Sequence, residues 1–429
     1  MNLIPVVILA LCFAFGMPVA FALILACIPY FIVDPYISTT VIIQRMISNT
    51  ETVSMMAAPF FIFAGCVMSY SGVTKRLLNL ADIMVGHLTG GLGHVNIVLS
   101  TLMGGISGSG AADAAMECKL LVPEMERRGY GRAYSGAVTA ASAVITPIIP
   151  PGVGLVIFAV VCEVSVGKLM CAGYVPGLIM CIGMMVLNAF IAKKRGYQSE
   201  RTKKATAKEF LVALREASWA LVIPFGLILG LRFGAFTATE GGALIAAYSF
   251  IIGKFVYKEL KLKHIPRILL DAVYSVGPVM LVLCAANVFS YYLSFERIPQ
   301  AITAMLIELT SNKWVFLLIV NVLMLVLGMF LDGMACMMIV APLLAPVAQV
   351  LGINLIHFGI VMVLNCAIGA ITPPFGTYIF LVAGTIKVKT TALVKELWAF
   401  VGVCLVSLAI TTFVPWVVTI IPRLVYGSL

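Results

Sequence analysis

The chain has 429 residues, 62% hydrophobic and 11% charged, with a mean hydropathy of +1.10. Soluble globular domains carry roughly 25% charged residues, so this composition excludes a soluble domain and specifies an all-α polytopic membrane protein. The net charge of +10 points to no nucleic-acid partner, because Lys and Arg cluster between apolar runs, as in cytoplasmic loops facing a lipid bilayer.

In chain order, the first apolar run covers residues 3–32, where Gly16 and Pro18 either kink one span or divide it in two. No Lys or Arg precedes Arg45, so the run reads as a retained span despite the small-x-small Ala20–Ala22. Further full spans are predicted near 53–72, 133–163, 170–192, 218–232, 239–253, 268–291, 354–386 and 396–420. Two apolar stretches, 92–126 and 314–350, are interrupted by "GGISGSGAAD" (104–113) and "MFLDGMA" (329–335), which predicts re-entrant helical hairpins. The eleven cysteines contain no CxxC and read as small buried hydrophobes. The four histidines have no metal-ligand spacing.

Shifting the chain by 223 residues superposes Gly110 on Gly333, Pro123 on Pro346, Gly129 on Gly352 and Pro150–Pro151 on Pro373–Pro374. Each repeat reads as a hairpin, a loop and a helix broken at Pro-Pro, as in "ITPIIPPGVG" (145–154) and "ITPPFGT" (371–377). The loop after the first hairpin is basic, "ERRGYGR" (126–132), whereas its counterpart "QVLGINL" (349–355) is uncharged. By the positive-inside bias the two repeats face opposite ways, an inverted-topology arrangement typical of secondary transporters. The basic loops 193–208 and 254–267 and Lys387–Lys395 fall on the cytoplasmic side. If 3–32 is one span, the N-terminus is inside and the C-terminus outside. The resulting division is scaffold at 1–75, a cytoplasmic surface arm at 76–91, transport units at 92–169 and 314–390 with scaffold between them (170–313), and a final span at 391–429.

A Pro-broken helix at membrane depth is tolerated where it is buried in protein or lines a cavity. Each break offers carbonyl oxygens suited to a hard cation and N–H groups suited to an anion. The expected Na⁺ clamshells set Ser107, Ser109 and Gly110 opposite Ser142, Thr146, Pro150 and Gly152, and Gly333 opposite Asn365, Gly369, Thr372, Pro373, Gly376 and Thr377. The bland alternative is a structural kink with each hydroxyl bonded to its own backbone. Asp113 and Asp332 are carboxyls at membrane depth and, with Ser109, are substrate-site candidates; either acid could instead ligate a cation, carry a proton or orient a partner. Arg297 either meets a substrate carboxylate or anchors at the interface beside Glu296.

The segments "GHLTGGLGHVNIVLSTLMGGISGSGAADAA" (86–115), "VPEMERRGY" (122–130), "ITPIIPPG" (145–152), "LGMFLDGMA" (327–335) and "AITPPFGT" (370–377) together resemble the large, DctM-like membrane subunit of tripartite ATP-independent periplasmic (TRAP) transporters. The resemblance implies an elevator-type fold of the ion-transporter superfamily and Na⁺-coupled import of a small organic acid, of the sialic-acid or C4-dicarboxylate class. It also implies a small four-helix membrane subunit, expected on a separate chain, and a periplasmic substrate-binding protein in a bacterial inner membrane. The tips differ, Ser-rich "SGSG" against "LDGM", so the two cation sites are not identical. A stand-alone Na⁺/carboxylate symporter is the nearest alternative. An intramembrane serine protease using Ser107 of "GISG" (105–108) with His357 as base, or an aspartyl protease using Asp113 and Asp332, leaves the repeat unexplained.

Overall fold

Helices make up most of the described residues. A computed structural model describes residues 2–33, 38–199, 201, 204–310 and 312–427. No strand occurs among the described residues, and six helices are long and apolar enough to cross a membrane. In the basic loop 193–208, residues 200, 202 and 203 lie outside the described residues.

The first apolar run is two helices, α1 (Ile4–Ala14) and α2 (Val19–Val33). They fold back on each other rather than making one span. The Asn2 amide and the Tyr30 hydroxyl, from opposite ends of the run, both donate to the Glu296 carboxylate at 2.8 Å. With Val288, Phe289 and Tyr292 they form a core separate from the main one. α3 (Thr40–Glu51) follows, its Arg45 guanidinium 4.2 Å from the Tyr291 ring. α4 (Ala57–Tyr70) and α5 (Val73–Val85) meet at 73° across Gly72, whose φ of +81° disfavours any other residue. α5 buries Leu77, Leu80 and Ala81 and exposes Lys75 and Asn79, so it lies as an amphipathic arm.

The first repeat comprises α6 (Gly91–Gly104), α7 (Gly110–Leu120), α8 (Val122–Arg127), α9 (Arg132–Ser142) and α10 (Val153–Val161). The connecting elements are α11 (Val166–Ala172), α12 (Tyr174–Arg195), α13 (Ala207–Arg232), α14 (Ala238–Ile251), α15 (Ile265–Phe295) and α16 (Ile298–Leu309). Thr206 with Glu209, and Thr237 with Glu240, start α13 and α14 as reciprocal capping boxes. The second repeat comprises α17 (Lys313–Phe330), α18 (Gly333–Val350), α19 (Leu355–Gly369) and α20 (Thr377–Ile386). The predicted span 396–420 is divided at Pro415 into α21 (Thr390–Phe413) and α22 (Pro415–Tyr426), with proline at the first position of the new helix, where its missing N–H costs nothing.

The 223-residue offset holds in three dimensions. Helices start at Gly110 and Gly333 and at Arg132 and Leu355, and both Pro–Pro bonds, Pro150–Pro151 and Pro373–Pro374, are cis. The repeats also run in opposite senses. Gly131, just before α9, donates to Tyr197 beyond the end of α12, and Arg195 pairs with Glu396 near the start of α21 at 2.7 Å. The His357 ring, near the start of α19, donates through Nε2 to the Thr411 carbonyl near the end of α21 at 2.9 Å. α9 and α19 therefore begin at opposite ends of α21.

The arm is pinned to two basic loops by Arg201–Asp82 (2.9 Å) and Arg76–Glu259 (2.6 Å), which places those loops at one end of the molecule. Glu296 lies at the other end of α15 from the basic loop 254–267. The folded-back Asn2 therefore lies at the end opposite those basic loops, which the positive-inside bias makes the outer end, and the one-span condition for an inside N-terminus is not met. The repeats interlock through Phe158 of α10, which meets Phe358 of α19 edge-on at 6.2 Å, while Phe316 of α17 stacks on Phe358.

Candidate ion and substrate site

The first hairpin tip reaches the first break. Gly108 accepts a hydrogen bond from the Val153 amide at 3.3 Å, joining tip to half-helix. Inside this closure the Ser107 hydroxyl donates to Asp113 Oδ1 and the Thr146 hydroxyl to Asp113 Oδ2, each at 2.7 Å. All three side chains are buried, Asp113 to 1% exposure. A carboxylate, two hydroxyls and the carbonyls of a broken helix are hard oxygen donors, the set an alkali cation requires. One turn after Asp113, the fully buried Glu117 accepts the Ser100 hydroxyl at 2.8 Å. Ser142 donates to Asn96 at 2.8 Å, one turn before Thr146. Pro150 and Gly152 shape the break, and Gly152 precedes the first residue of α10.

The second closure uses different groups. Asn365, at the position equivalent to Ser142, donates to Asn321 Oδ1 at 2.8 Å, and its own buried Oδ1 has no hydrogen-bond partner among the described residues. Gly333 lies against Cys366, and the Thr372 hydroxyl turns back to the Ile368 carbonyl at 2.7 Å. Thr372 thus has the backbone-bonded role of a structural kink. The Pro373–Pro374 bond is cis, and Gly376 precedes α20, whose first residue is Thr377. Gly369 meets Gly328 backbone to backbone. A Cβ on Gly369 would stand 2.7 Å from the Gly328 Cα. Gly369→Ala is therefore expected to force α17 from α19 at a cost of about 1–3 kcal/mol. A lowered melting temperature of the purified protein would show it, and an unchanged one would refute the close approach.

The two closures share one cavity of about 320 Å³, within the range for small-molecule sites. Ser109 and Gly110 line it from the first tip, Pro147 and Gly154 from the first break, Asp332 and Gly333 from the second tip, and Thr377 and Tyr378 from the second break. Four helix N-termini, those of α7, α10, α18 and α20, converge there. Only α18 has a side-chain cap, with Asp332 Oδ1 accepting the Met334 amide at 3.0 Å. The other three have no side-chain cap; the Gly108 carbonyl takes the Val153 amide of α10 and the Ala370 carbonyl the Tyr378 amide of α20, and the remaining first-turn N–H groups with the positive end of the helix dipole are a setting for an anion. Arg297 is not part of this setting. It is exposed, caps α16 in a left-handed conformation (φ 55°) and lies outside the cavity lining.

No protease constellation forms. Ser107 is bonded to Asp113, whereas the His357 ring is held on Thr411; Asp113 is buried beneath the first tip while Asp332 caps α18. The sequence reading missed Glu117, Asn96 and Asn321. Glu117 carried one usable signal, a second carboxyl four residues after Asp113 in an apolar stretch; the amides carried none.

The family model for the "Tripartite ATP-independent periplasmic transporter, DctM component" matches residues 6–417. The chain is 36% identical over 419 residues to the sialic acid TRAP transporter large permease protein SiaM of Vibrio cholerae, covering 98% of this chain and 97% of that protein. It is 35% identical to the sialic acid TRAP transporter permease SiaT of Haemophilus influenzae, over 95% of this chain and 66% of that longer protein. It is 33% identical to the C4-dicarboxylate large permease DctM of Rhodobacter capsulatus, over 95% and 96%. Among solved structures, the YdaH transporter of Alcanivorax borkumensis matches with a TM-score of 0.70 at 14% identity, covering 93% of this chain and 98% of that one. At that identity the match speaks for the fold alone. The inverted hairpin-and-break repeats and the family match over nearly the whole chain agree, and the chain belongs to the DctM family of TRAP large permease subunits, a multi-pass inner-membrane transport protein and not an enzyme.

Proposed function

We propose that this chain is the translocating subunit of a Na⁺-coupled importer of a small organic acid, working by an elevator movement. The observation that carries the proposal is the shared cavity, where three helix N-termini without side-chain caps stand beside a buried carboxylate–hydroxyl cluster. The N-termini suit an anionic substrate group and the oxygen cluster suits Na⁺, so the two bind as neighbours and each favours the other. The repeats, interlocked through Phe158, Phe316 and Phe358, form the body that moves. α4 and α13–α15 form the stationary frame that meets the small membrane subunit, and a periplasmic binding protein delivers the acid.

The relatives named above carry sialic acid and C4-dicarboxylates in their names, and a further relative, 36% identical, is an isethionate permease from Oleidesulfovibrio alaskensis. All three classes are anions. The sialic-acid class is the one to test first. Uptake into proteoliposomes holding the complete assembly, with each acid offered on its binding protein, tests the reading. Import should require an inward Na⁺ gradient, and equal import with K⁺ in place of Na⁺ would refute the coupling.

Asp332→Asn should cut this uptake while membrane expression stays normal. Asn preserves an oxygen for the Met334 amide, so the cap survives and only the charge on the cavity wall is lost. Uptake unchanged across Na⁺ concentrations would remove Asp332 from the transport cycle.

A further inference from the structure

A second cavity, of about 260 Å³, opens at the outer end of the molecule, away from the four-helix junction. Lys313 and Trp314 at the start of α17, Asn354 and His357 around the start of α19, and Trp416 and Arg423 of α22 line it. No Asp or Glu contributes to the lining, and among the described residues neither Lys313 nor Arg423 forms an ion pair. Two cations facing one recess without a counter-charge favour an anion between them.

The surroundings point to the kind of anion. Beside the recess, Val315 and Leu318 on α17 and Trp416 and Leu424 on α22 are exposed apolar side chains, Leu424 to 74%. The Lys313 ammonium lies 5.0 Å from the Trp314 ring, the pairing of cation and aromatic found at a membrane–water interface. A basic recess bordered by apolar helix faces fits a headgroup with its hydrocarbon lying alongside. A freely diffusing anion would gain nothing from those faces.

We propose that this cavity binds the phosphate of an anionic phospholipid of the outer leaflet, with Lys313 and Arg423 holding the phosphate and the acyl chains lying on α17 and α22. The site is separate from the transport cavity, and the proposal does not rest on Na⁺ coupling or on the identity of the acid.

Native mass spectrometry of the full chain in detergent, titrated separately with phosphatidylglycerol, phosphatidylcholine and inorganic phosphate, tests it. One tightly held phosphatidylglycerol is expected, with phosphatidylcholine weaker and phosphate alone not retained. Lys313→Gln and Arg423→Gln should each weaken phosphatidylglycerol by about tenfold, and the double variant by more, because a charge-assisted contact is lost at each step. Wild-type-like retention in the double variant, or equal binding of both lipids, would overturn the proposal. Phosphate binding as tight as phosphatidylglycerol would overturn the lipid as the source. Both side chains are exposed, so the variants should remain monodisperse. Should they not, the wild-type salt dependence decides: phosphatidylglycerol affinity must fall as ionic strength rises, and a salt-independent affinity would overturn the proposal.

Discussion

Asp113→Asn is expected to raise the Na⁺ concentration for half-maximal uptake by about 10- to 100-fold or more, with protein still present in the membrane. Asp113 receives two short hydroxyl hydrogen bonds in a buried setting. A hydrogen bond to a charged group contributes about 1.5–3 kcal/mol, and each 1.4 kcal/mol is tenfold in affinity. Asn accepts from one hydroxyl but turns an NH₂ toward the other, and it removes the charge that would attract the ion. Ser107→Ala is the graded comparison: it removes one hydroxyl and leaves the carboxylate, so its effect should be smaller. Na⁺ titration of uptake checks both. A half-saturating concentration unchanged in Asp113→Asn would dismiss the first closure as an ion site.

The second large effect concerns assembly. Reconstituted alone, the chain is expected to give no detectable uptake of free acid, and activity should appear when the small membrane subunit and the loaded binding protein are both added. One surface open to such a partner is α13, where Val222, Phe225 and Leu229 form an exposed apolar face, with Phe233 just beyond the helix end exposed to 73%. Such a face is suited to a second membrane protein as well as to lipid. Full Na⁺-driven uptake of free acid by the isolated chain would instead favour the stand-alone symporter.

The parts of this architecture legible in the sequence are those where the backbone constrains residue choice. Pro150–Pro151 and Pro373–Pro374 break helices, and Gly110 and Gly333 begin the second legs of hairpins. Their 223-residue spacing marks the repeat in the sequence itself. Loop charge gives the two repeats opposed orientations, and in the structure Arg195 pairs with Glu396 near the start of α21 whereas His357 meets Thr411 near its end.

Side-chain partnerships were far less legible. The sequence puts Ser107, Thr146 and Asp113 in one closure, but nothing in their spacing specifies that both hydroxyls converge on one carboxylate. Thr372 has the same chemistry as Thr146 and a comparable position near a break, yet it bonds its own helix. A hydroxyl in a helix always has its own backbone carbonyl as a competing acceptor, and only packing decides between them. Arg297 illustrates another gap. Its fork shape suits a carboxylate, but its distance from the cavity is set by α15, not by its type. The amides Asn96 and Asn321 gave no signal, since an uncharged residue in an apolar run changes neither periodicity nor charge.

The fold-back of α1 on α2 alters how the polypeptide is threaded. A hairpin that enters and leaves at one face adds nothing to the number of crossings, so the parity of every later helix is set from α4 onward. The absence of Lys and Arg from residues 2–33 agrees with a hairpin whose ends lie away from the basic loops. A small reporter fused ahead of Asn2 would emerge beside Glu296, exposed to impermeant reagents on intact cells with a stripped outer membrane, while one placed in the 193–208 loop would stay protected until the bilayer is breached.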